Sequence, residues 1–241
     1  MDAIVTRGLS KRYGNVTALE PLDLSVRAGE LFTLLGLNGA GKSTLIKLLC
    51  CLSKPSDGDA LLFGRSILRE TAVKRLIGVS PQETALAPSL SVRENLLMLA
   101  GIHGLSRKAR QERLDALVRR FSLEGVLDRR AGRLSGGWQR RVSIAMALVG
   151  EPSVLFLDEP TLGLDVLARR ELWGVISELR GSCTVLLTTH YMEEAEQLSD
   201  RVGILDRGRL LSVGTPLELT EKTETDSLEA AFLRIVRGES T

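Results

Sequence analysis

The sequence feature that most constrains the fold is the nonapeptide GLNGAGKST at positions 36–44. It matches the pattern G-x-x-x-x-G-K-[ST], follows the apolar run LFTLL and precedes the helical pattern LIKLLCCL. A glycine-rich loop between a buried strand and a helix lets backbone N–H groups and the positive end of the helix converge on phosphate. The predicted phosphate-binding residues of this loop are Gly36, Asn38, Gly39, Ala40, Gly41, Lys42, Ser43 and Thr44.

Two side chains of this loop carry specific chemistry. Lys42 brings a positive charge to the β and γ phosphates, so it is predicted to be catalytic as well as binding. The Ser43 hydroxyl is a predicted ligand of Mg²⁺, because Mg²⁺ prefers oxygen donors.

The rest of the chain alternates strand-like and helix-like segments, which predicts an α/β layer fold. Short buried strands of a parallel sheet are predicted for LFTLL (31–35), SVLFLD (153–158) and TVLLTT (184–189). Ser91 with Glu94 forms a predicted capping box, and the helical pattern that follows runs to about Phe121, as in an inserted helical region. The C-terminal segment DSLEAAFLRIVRG predicts an amphipathic helix capped by Asp226.

Composition excludes several classes of protein. The 241 residues include 32 basic and 30 acidic side chains and 44% hydrophobic residues, which is typical of a globular protein rather than a nucleic-acid-binding or disordered one. No apolar run reaches the roughly 18 to 20 residues that cross a bilayer, and no signal peptide is recognised, so we expect a cytoplasmic protein. Cys50, Cys51 and Cys183 lack metal-site spacing and are predicted to be buried thiols.

Two further strand ends carry side chains suited to hydrolysis. In SVLFLDEPTLGLD, Asp158 ends a strand where Mg²⁺ beside a nucleotide needs an oxygen ligand. Glu159 follows at once and can orient or deprotonate an attacking water molecule. His190 in TTHYMEEAEQLSDR ends another strand, and ligands of open α/β sheets bind at the carboxyl ends of strands. Glu159 and His190 are therefore predicted catalytic residues.

A second glycine-rich stretch, LSGGWQRRV at 134–142, also precedes an apolar helix. Such a stretch can cradle a phosphate group, but it has no lysine of its own, and the loop at 36–44 is already complete. The residues alone do not say what this second cradle holds.

Taken in order, these motifs resemble the nucleotide-binding subunit of an ABC (ATP-binding cassette) transporter. The resemblance runs from Tyr13 to His190 and into the C-terminal segment, and it includes the Walker A loop, Q-loop glutamine, signature, Walker B, D-loop and switch histidine of that family. It implies an α/β P-loop NTPase cassette with a RecA-like mixed or parallel core sheet, an N-terminal antiparallel β subdomain and an inserted α-helical subdomain. The implied division of the single domain 1–241 is a core of 1–82 and 152–214, a helical subdomain of about 83–151 and a tail helix of about 215–241.

The resemblance also implies roles for three residues that the sequence alone would leave undecided. Tyr13 in KRYGN would stack on adenine, although plain packing explains an aromatic residue equally well. Gln82 in VSPQETA resembles the Q-loop glutamine, which contacts Mg²⁺ and the attacking water and would serve catalysis. Asp165 in TLGLD resembles the D-loop aspartate that joins two halves of a dimer, although alone LGLD is an ordinary turn.

The family pattern gives the second cradle a ligand on another chain. Two cassettes would pack head to tail, and Ser135 with the backbone of Gly136 and Gly137 would close over the γ-phosphate held by Lys42 of a second copy. The sequence departs from the usual pattern at Trp138, where glutamine is common, and at Leu37 and Leu162, where proline and serine are common. The Ser-Gly-Gly unit is intact, so we expect closure over ATP to survive and Trp138 to affect the hydrolysis rate.

The function implied by the resemblance is ATP hydrolysis with ATP and Mg²⁺ as cofactors. A dimer with itself or a homologous cassette would act through separate permease subunits, at the cytoplasmic face of the membrane and without nucleic acid. The passages IGVSPQETALAPSLSVRENL, GTPLELTEK and SLEAAFLRIVRG are similar to bacterial exporters of the ABC-2 type. The alternatives are an importer ATPase and a soluble cassette ATPase acting on ribosomes or DNA, which normally needs two cassettes in one chain or a long coiled coil. A non-catalytic regulator would lack Glu159 or His190, and an unrelated P-loop kinase or GTPase would not explain LSGGWQ.

Overall fold

A computed structural model describes residues 1–238 of the chain. The strands are β1 (Asp2–Tyr13), β2 (Val16–Arg27), β3 (Leu31–Leu35), β4 (Asp57–Leu62), β5 (Arg65–Ser66), β6 (Ile77–Ser80), β7 (Val154–Asp158), β8 (Thr184–Thr189), β9 (Arg201–Asp206) and β10 (Arg209–Gly214). The α-helices are α1 (Lys42–Leu49), α2 (Glu70–Lys74), α3 (Val92–Ile102), α4 (Arg107–Phe121), α5 (Gly136–Ala147), α6 (Val166–Ser177), α7 (Met192–Leu198), α8 (Pro216–Lys222) and α9 (Leu228–Arg237).

The strands form two sheets. Six strands in the order β10-β9-β3-β8-β7-β6 make the larger sheet, in which β9, β3, β8, β7 and β6 are parallel and β10 is antiparallel to β9. Four strands in the order β2-β1-β4-β5 make an antiparallel sheet near the N-terminus. The predicted α/β cassette fold, with a mixed core sheet and an N-terminal antiparallel sheet, is confirmed.

The three strands predicted at the centre of the core are all present. β3 and β8 have the predicted bounds, and β7 begins one residue later than predicted, at Val154. Every residue of these strands is buried, because elements cover both faces of the sheet. The register pairs Leu35 with Thr189 and Asp158 with Thr188, so the carboxyl ends of β3, β8 and β7 lie side by side.

The region between β6 and β7 is helical, as the sequence predicts. The capping box at the start of α3 is confirmed, because Ser91 Oγ accepts from Glu94 N and Glu94 accepts from Ser91 N. Side chains of α3, α4 and α5 share one buried cluster with Leu155 of β7 and Leu187 of β8. Packing therefore joins the helices to one face of the core sheet.

The C-terminal segment folds back as α8 and α9. Phe232 of α9 packs in a buried cluster with Ala195 of α7. The prediction that Asp226 caps α9 is wrong by one position: Ser227 has extended backbone angles, and its hydroxyl accepts from Ala230 N at 3.2 Å. Residues 239–241 of the predicted tail lie outside the described residues.

Two remaining predictions from composition have structural outcomes. Cys50 and Cys183 are buried as predicted, whereas Cys51 is only partly buried. None of the helices within residues 1–238 is both long enough and apolar enough to span a bilayer.

Candidate functional site

The loop between β3 and α1 borders a cavity of about 370 Å³. Gly39 and Gly41 have φ angles of 82° and 108°, in the left-handed region that glycine adopts without strain. A Cβ atom on Gly41 would also lie 2.8 Å from the carbonyl oxygen of Ala18, so close backbone approach excludes larger residues there. The residues that line the cavity are Val16, Thr17, Ala18, Asn38, Gly39, Ala40, Gly41, Lys42, Ser43, Thr44, Gln82 and Glu159.

Gly36 supports this loop from behind rather than lining the cavity. A Cβ atom at this position would lie 2.4 Å from Leu205 O, so only glycine fits beside β9. Its carbonyl oxygen accepts a hydrogen bond from Lys42 Nζ at 2.7 Å. Of the eight predicted loop residues, seven therefore line the cavity, and Gly36 orients the lysine.

The Lys42 ammonium group is buried at the cavity wall, with 5% of the residue exposed. It donates to the carbonyl oxygens of Gly36 and Leu37 and forms an ion pair with Glu159 Oε1 at 3.1 Å. The structure thus joins the loop lysine to the predicted catalytic carboxylate, two residues that are far apart in sequence.

Glu159 lies at a bend directly after β7. Its φ angle is 49°, an uncommon value for a residue with a side chain, and its backbone N–H donates to Thr188 O at 3.1 Å. The carboxylate is buried, and its Oε2 atom lies 2.7 Å from His190 Nδ1. Lys42, Glu159 and His190 therefore form one continuous chain of polar contacts at the edge of the core sheet.

Asp158 is held by two hydroxyl groups. Its Oδ1 atom accepts from Ser43 Oγ at 3.2 Å and from Thr188 Oγ1 at 2.6 Å. Carboxylate, hydroxyl and amide oxygens are hard donors of the kind that Mg²⁺ prefers, so the chemistry of Asp158, Ser43 and Gln82 fits this ion. Gln82 is exposed and lines the same cavity.

A buried carboxyl group lies behind this edge, on α7. Glu194 is fully buried, and its Oε1 atom accepts from Trp173 Nε1 of α6 at 3.0 Å. Burial raises the pKa of Glu194, and the nearby charge of Glu159 raises it further, against the opposing effect of hydrogen bonding, which includes the bond from Trp173.

The second glycine-rich stretch lies at the start of α5. Ser135 occupies the N-cap position, is exposed, and makes no side-chain capping bond. Within the part of the chain that the structure describes, the lining of the 370 Å³ cavity includes none of Ser135, Gly136 and Gly137. Ser135 and Gly137 instead border a separate cavity of about 60 Å³ with Trp138. One copy of the chain therefore does not bring the two glycine-rich stretches to one cavity.

Trp138 packs on the same helix rather than over the first cavity. The Arg141 guanidinium carbon lies 4.7 Å from the centroid of the indole ring, and Arg141 also forms an ion pair with Glu171 of α6 at 3.1 Å. The tryptophan is thus part of the contact between α5 and α6.

The two remaining predicted residues lie on the surface. Tyr13 ends β1 with 48% of its surface exposed, and it pairs with Val16, which lines the first cavity, although Tyr13 itself does not. Asp165 is the N-cap of α6, and its Oδ1 atom accepts from Ala168 N at 2.9 Å. The roles predicted for both in binding or pairing stay predictions.

Comparison with known proteins decides the family. A family model described as "ABC transporter" matches residues 19–162. The chain belongs to the ABC transporter family. The resemblance drawn from the sequence motifs is thereby confirmed, and with it the prediction of an ATPase of the class that is coupled to transport.

Individual relatives of this ABC cassette are similar over most of the chain. A "Daunorubicin resistance ATP-binding protein DrrA3" from Streptomyces coeruleorubidus is 42% identical over 95% of this chain and 73% of its own length. A "Nod factor export ATP-binding protein I" from Burkholderia orbicola is 43% identical over 89% of this chain and 71% of its own length. A similar solved structure is described as the dimeric, post-hydrolysis state of the ATP-binding cassette MJ0796 bound to ADP and Pi. It is 26% identical to this chain with a TM-score of 0.79, and the match covers 88% of this chain and 98% of that one.

Sequence reasoning missed two residues of the cassette's site. Thr188 binds Asp158 through its side chain and Glu159 through its carbonyl and hydroxyl oxygens. The sequence signal that could have identified Thr188 is its position beside Thr189 at the carboxyl end of the strand TVLLTT. Arg140 donates to backbone carbonyls of the Q-loop; it lies within the stretch LSGGWQRRV, but the pattern gave this arginine no role.

Proposed function

We propose that this cassette binds ATP with Mg²⁺, hydrolyses it, and works as a head-to-tail dimer that powers export through separate membrane permease subunits. The observation that carries the proposal is the chain of polar contacts from the buried Lys42 through the buried Glu159 to the partly buried His190. Contact between a cation, the proposed general base and the histidine proposed to orient that base supports this assignment.

The proposed reaction is attack of water on the γ-phosphorus, with cleavage of its bond to the bridging oxygen to give ADP and inorganic phosphate. Glu159 takes the proton of the attacking water, and the contact with His190 Nδ1 holds the carboxylate in place. Lys42 stabilises negative charge on the β and γ phosphate oxygens. Ser43, Asp158 and Gln82 would hold Mg²⁺, which would supply positive charge to the phosphate groups when bound.

The proposed dimer follows from the position of the signature. Ser135 is exposed with Gly136 at the start of α5, outside the cavity that holds Lys42 of the same chain. A helix N-terminus with an exposed serine favours an anion, and the γ-phosphate at Lys42 of a second copy supplies one. The similar cassette is dimeric in its structure with ADP and Pi, which supports pairing of two copies.

Export and the membrane partners rest on the relatives. The drug-resistance and Nod-factor-export proteins named above are ATP-binding proteins, and their similarity to this chain supports an export function at the cytoplasmic face of a membrane. We also propose the division into a core (1–82 and 152–214), a helical subdomain (83–151) and a C-terminal tail, because it separates the sheets from the helices that follow Gln82. Tyr13 stacking on adenine and Asp165 contacting the second copy belong to the same proposal.

Mixing two inactive variants tests the shared site. Lys42→Ala removes the lysine proposed to bind the β and γ phosphates, and Ser135→Arg puts a bulky side chain where the signature is proposed to contact the γ-phosphate of the second copy. A homodimer of either variant should therefore lose ATP hydrolysis. A mixed dimer regains one site with both Lys42 and Ser135 intact, so phosphate release should return to about half of the wild-type rate per dimer at most. No recovery at any mixing ratio would contradict action across the dimer, and full activity of Lys42→Ala alone would contradict the assignment of the loop.

A further inference from the structure

A buried guanidinium group connects the signature helix to the Q-loop. Arg140 lies on α5, four residues after Gly136, and is 5% exposed. Its Nη1 atom donates to Pro81 O at 2.6 Å, and its Nη2 atom donates to Gln82 O at 2.6 Å. One side chain thus binds two successive carbonyl groups of a loop that is 58 to 59 residues away in sequence.

The charge of Arg140 is not neutralised by a direct ion pair. Within residues 1–238, no carboxylate oxygen lies within 4.0 Å of its guanidinium nitrogens, although the more distant charge of Asp158 favours its protonated form. Burial lowers the pKa of this guanidinium, which shows that the buried charge is costly. A buried cation is weak evidence that a residue stabilises the fold. The role of Arg140 is therefore inferred from the geometry of its hydrogen bonds.

Hydrogen bonds hold the Q-loop (residues 81–87) at its two ends, and Leu86 packs against the buried cluster between them. Asn95 of α3, which is fully buried, accepts from Ala87 N at 2.9 Å and donates to Ala87 O at 3.1 Å. Arg140 holds the other end at Pro81 and Gln82. Between these anchors, residues 83–86 make no hydrogen bond to any other described residue. The position of Gln82 is therefore set mainly by Arg140 and by the end of β6.

We propose that Arg140 is a positioning residue that sets where the Gln82 side chain enters the phosphate cavity, and that it couples this placement to the signature stretch on the same helix. The inference rests on the proposed function for the role of Gln82 in hydrolysis. A shift of α5 would move Gln82 of the same chain together with Ser135, which is proposed to act on the other nucleotide of the dimer.

Lysine cannot reproduce this contact. An arginine fork offers two parallel N–H groups to two acceptors, whereas a lysine ammonium group offers all its donors from one point. Arg140→Lys keeps the charge and loses the bridge. Arg140→Met keeps the aliphatic length and removes the cost of burying a charge, so it provides a folded variant if the lysine variant is unstable.

Hydrogen exchange tests the contact without reference to hydrolysis. Within residues 82–87, the amide of Ala87 is protected by its hydrogen bond to Asn95 Oδ1. In Arg140→Lys and Arg140→Met this amide should exchange at least about fivefold faster than in the wild type, because loss of the Arg140 anchor loosens the loop that ends at Ala87. Arg110→Lys is the matched control, since Arg110 is partly buried in the helical region and donates to Leu105 O at 2.7 Å, away from the Q-loop. It should leave exchange at 82–87 unchanged. Unchanged exchange in both Arg140 variants would overturn the proposal.

A double-mutant cycle tests whether Arg140 acts through Gln82. Arg140→Lys should lower kcat by about 10- to 100-fold, as expected for a misplacement of about 1 Å, with the KM for ATP within about twofold of the wild type. Gln82→Ala should lower kcat, and adding Arg140→Lys to it should lower kcat by no more than about twofold further. Losses that simply multiply would show that Arg140 acts independently of Gln82 and would overturn the proposal.

The two assays separate this inference from the proposed function. A wild-type chain that binds ATP but does not hydrolyse it would contradict the proposed function, and the exchange experiment would still decide whether Arg140 anchors the Q-loop. Normal wild-type hydrolysis with multiplicative losses would leave the proposed function intact and remove only the role of Arg140.

Discussion

Replacement of Glu159 by glutamine should separate ATP binding from ATP hydrolysis. The substitution keeps the size of a residue that is 5% exposed and removes its negative charge, and with it the ability to take a proton. General-base catalysis contributes about 10²- to 10⁴-fold, which corresponds to about 3 to 5 kcal/mol of activation free energy. We therefore expect kcat of Glu159→Gln to fall by at least about 100-fold.

The same substitution should not weaken ATP binding, because Glu159 competes with phosphate for Lys42. The Lys42 Nζ atom lies 3.1 Å from Glu159 Oε1. At an effective dielectric constant of about 20, two unit charges at that distance attract by about 5 kcal/mol before desolvation is counted. A phosphate group that binds Lys42 has to replace this attraction, and a neutral amide reduces it. We expect the ATP affinity of Glu159→Gln to equal or exceed that of the wild type.

Three measurements check this prediction: phosphate release, binding of a fluorescent ATP analogue, and size-exclusion chromatography with ATP. The variant should bind nucleotide, release almost no phosphate and accumulate as a dimer. Glu151→Gln is the matched control, because Glu151 has nearly the same φ angle, 50° against 49°, but its side chain is 71% exposed. The control should behave as the wild type.

Two results would refute the reasoning. Hydrolysis by Glu159→Gln at more than about a tenth of the wild-type rate would show that another group takes the proton. ATP affinity reduced by more than about tenfold would show that the carboxylate supports binding rather than competing for Lys42.

Three further substitutions test other parts of the structure. Trp138→Gln removes the cation–π contact with Arg141 and should lower the free energy of unfolding by about 1 kcal/mol in denaturant unfolding. ATP-dependent pairing of two copies should stay intact, and its loss would contradict our interpretation of the signature. Glu194→Gln should become more stable relative to the wild type as pH rises above about 4.5. The raised pKa of Glu194 means that its carboxyl group ionises more readily in the unfolded chain, so the wild type loses about 1.4 kcal/mol of stability per pH unit until the folded-state pKa is reached. A difference in unfolding free energy between the two proteins that does not change from pH 4 to pH 8 would contradict a raised pKa at this buried position. Gly78→Ala should destabilise by at least about 2 kcal/mol in the same assay, because its Cβ atom would lie 2.1 Å from Ala147 O, and an unchanged midpoint would contradict this close approach.

Local patterns in the sequence were sufficient for much of the fold and for most candidate residues. LFTLL and TVLLTT consist of apolar residues and threonine and contain no charged residue, as expected for strands that are covered on both faces, and both strands have the predicted bounds. The capping box at Ser91 and Glu94 is also a local pattern, in which the two residues bind each other within one helical turn. The cap of α9 was misplaced because Asp226 and Ser227 are both good N-cap residues, and only backbone geometry chooses between them.

What the sequence determined by itself is the set of chemical groups: a glycine-rich loop with a lysine, two successive carboxylates after a strand, a histidine after another, and a second glycine-rich stretch without a lysine. Only the tertiary structure decided which groups meet. Glu159 reaches His190 across 31 residues, Asp158 reaches Ser43 across 115, and Arg140 reaches Gln82 across 58. These contacts depend on strand order, strand register and the packing of α5 against the loop, which are set by burial over the whole core. A local pattern specifies an element and its exposed groups, but the distance between two elements is fixed only when their apolar faces pack together.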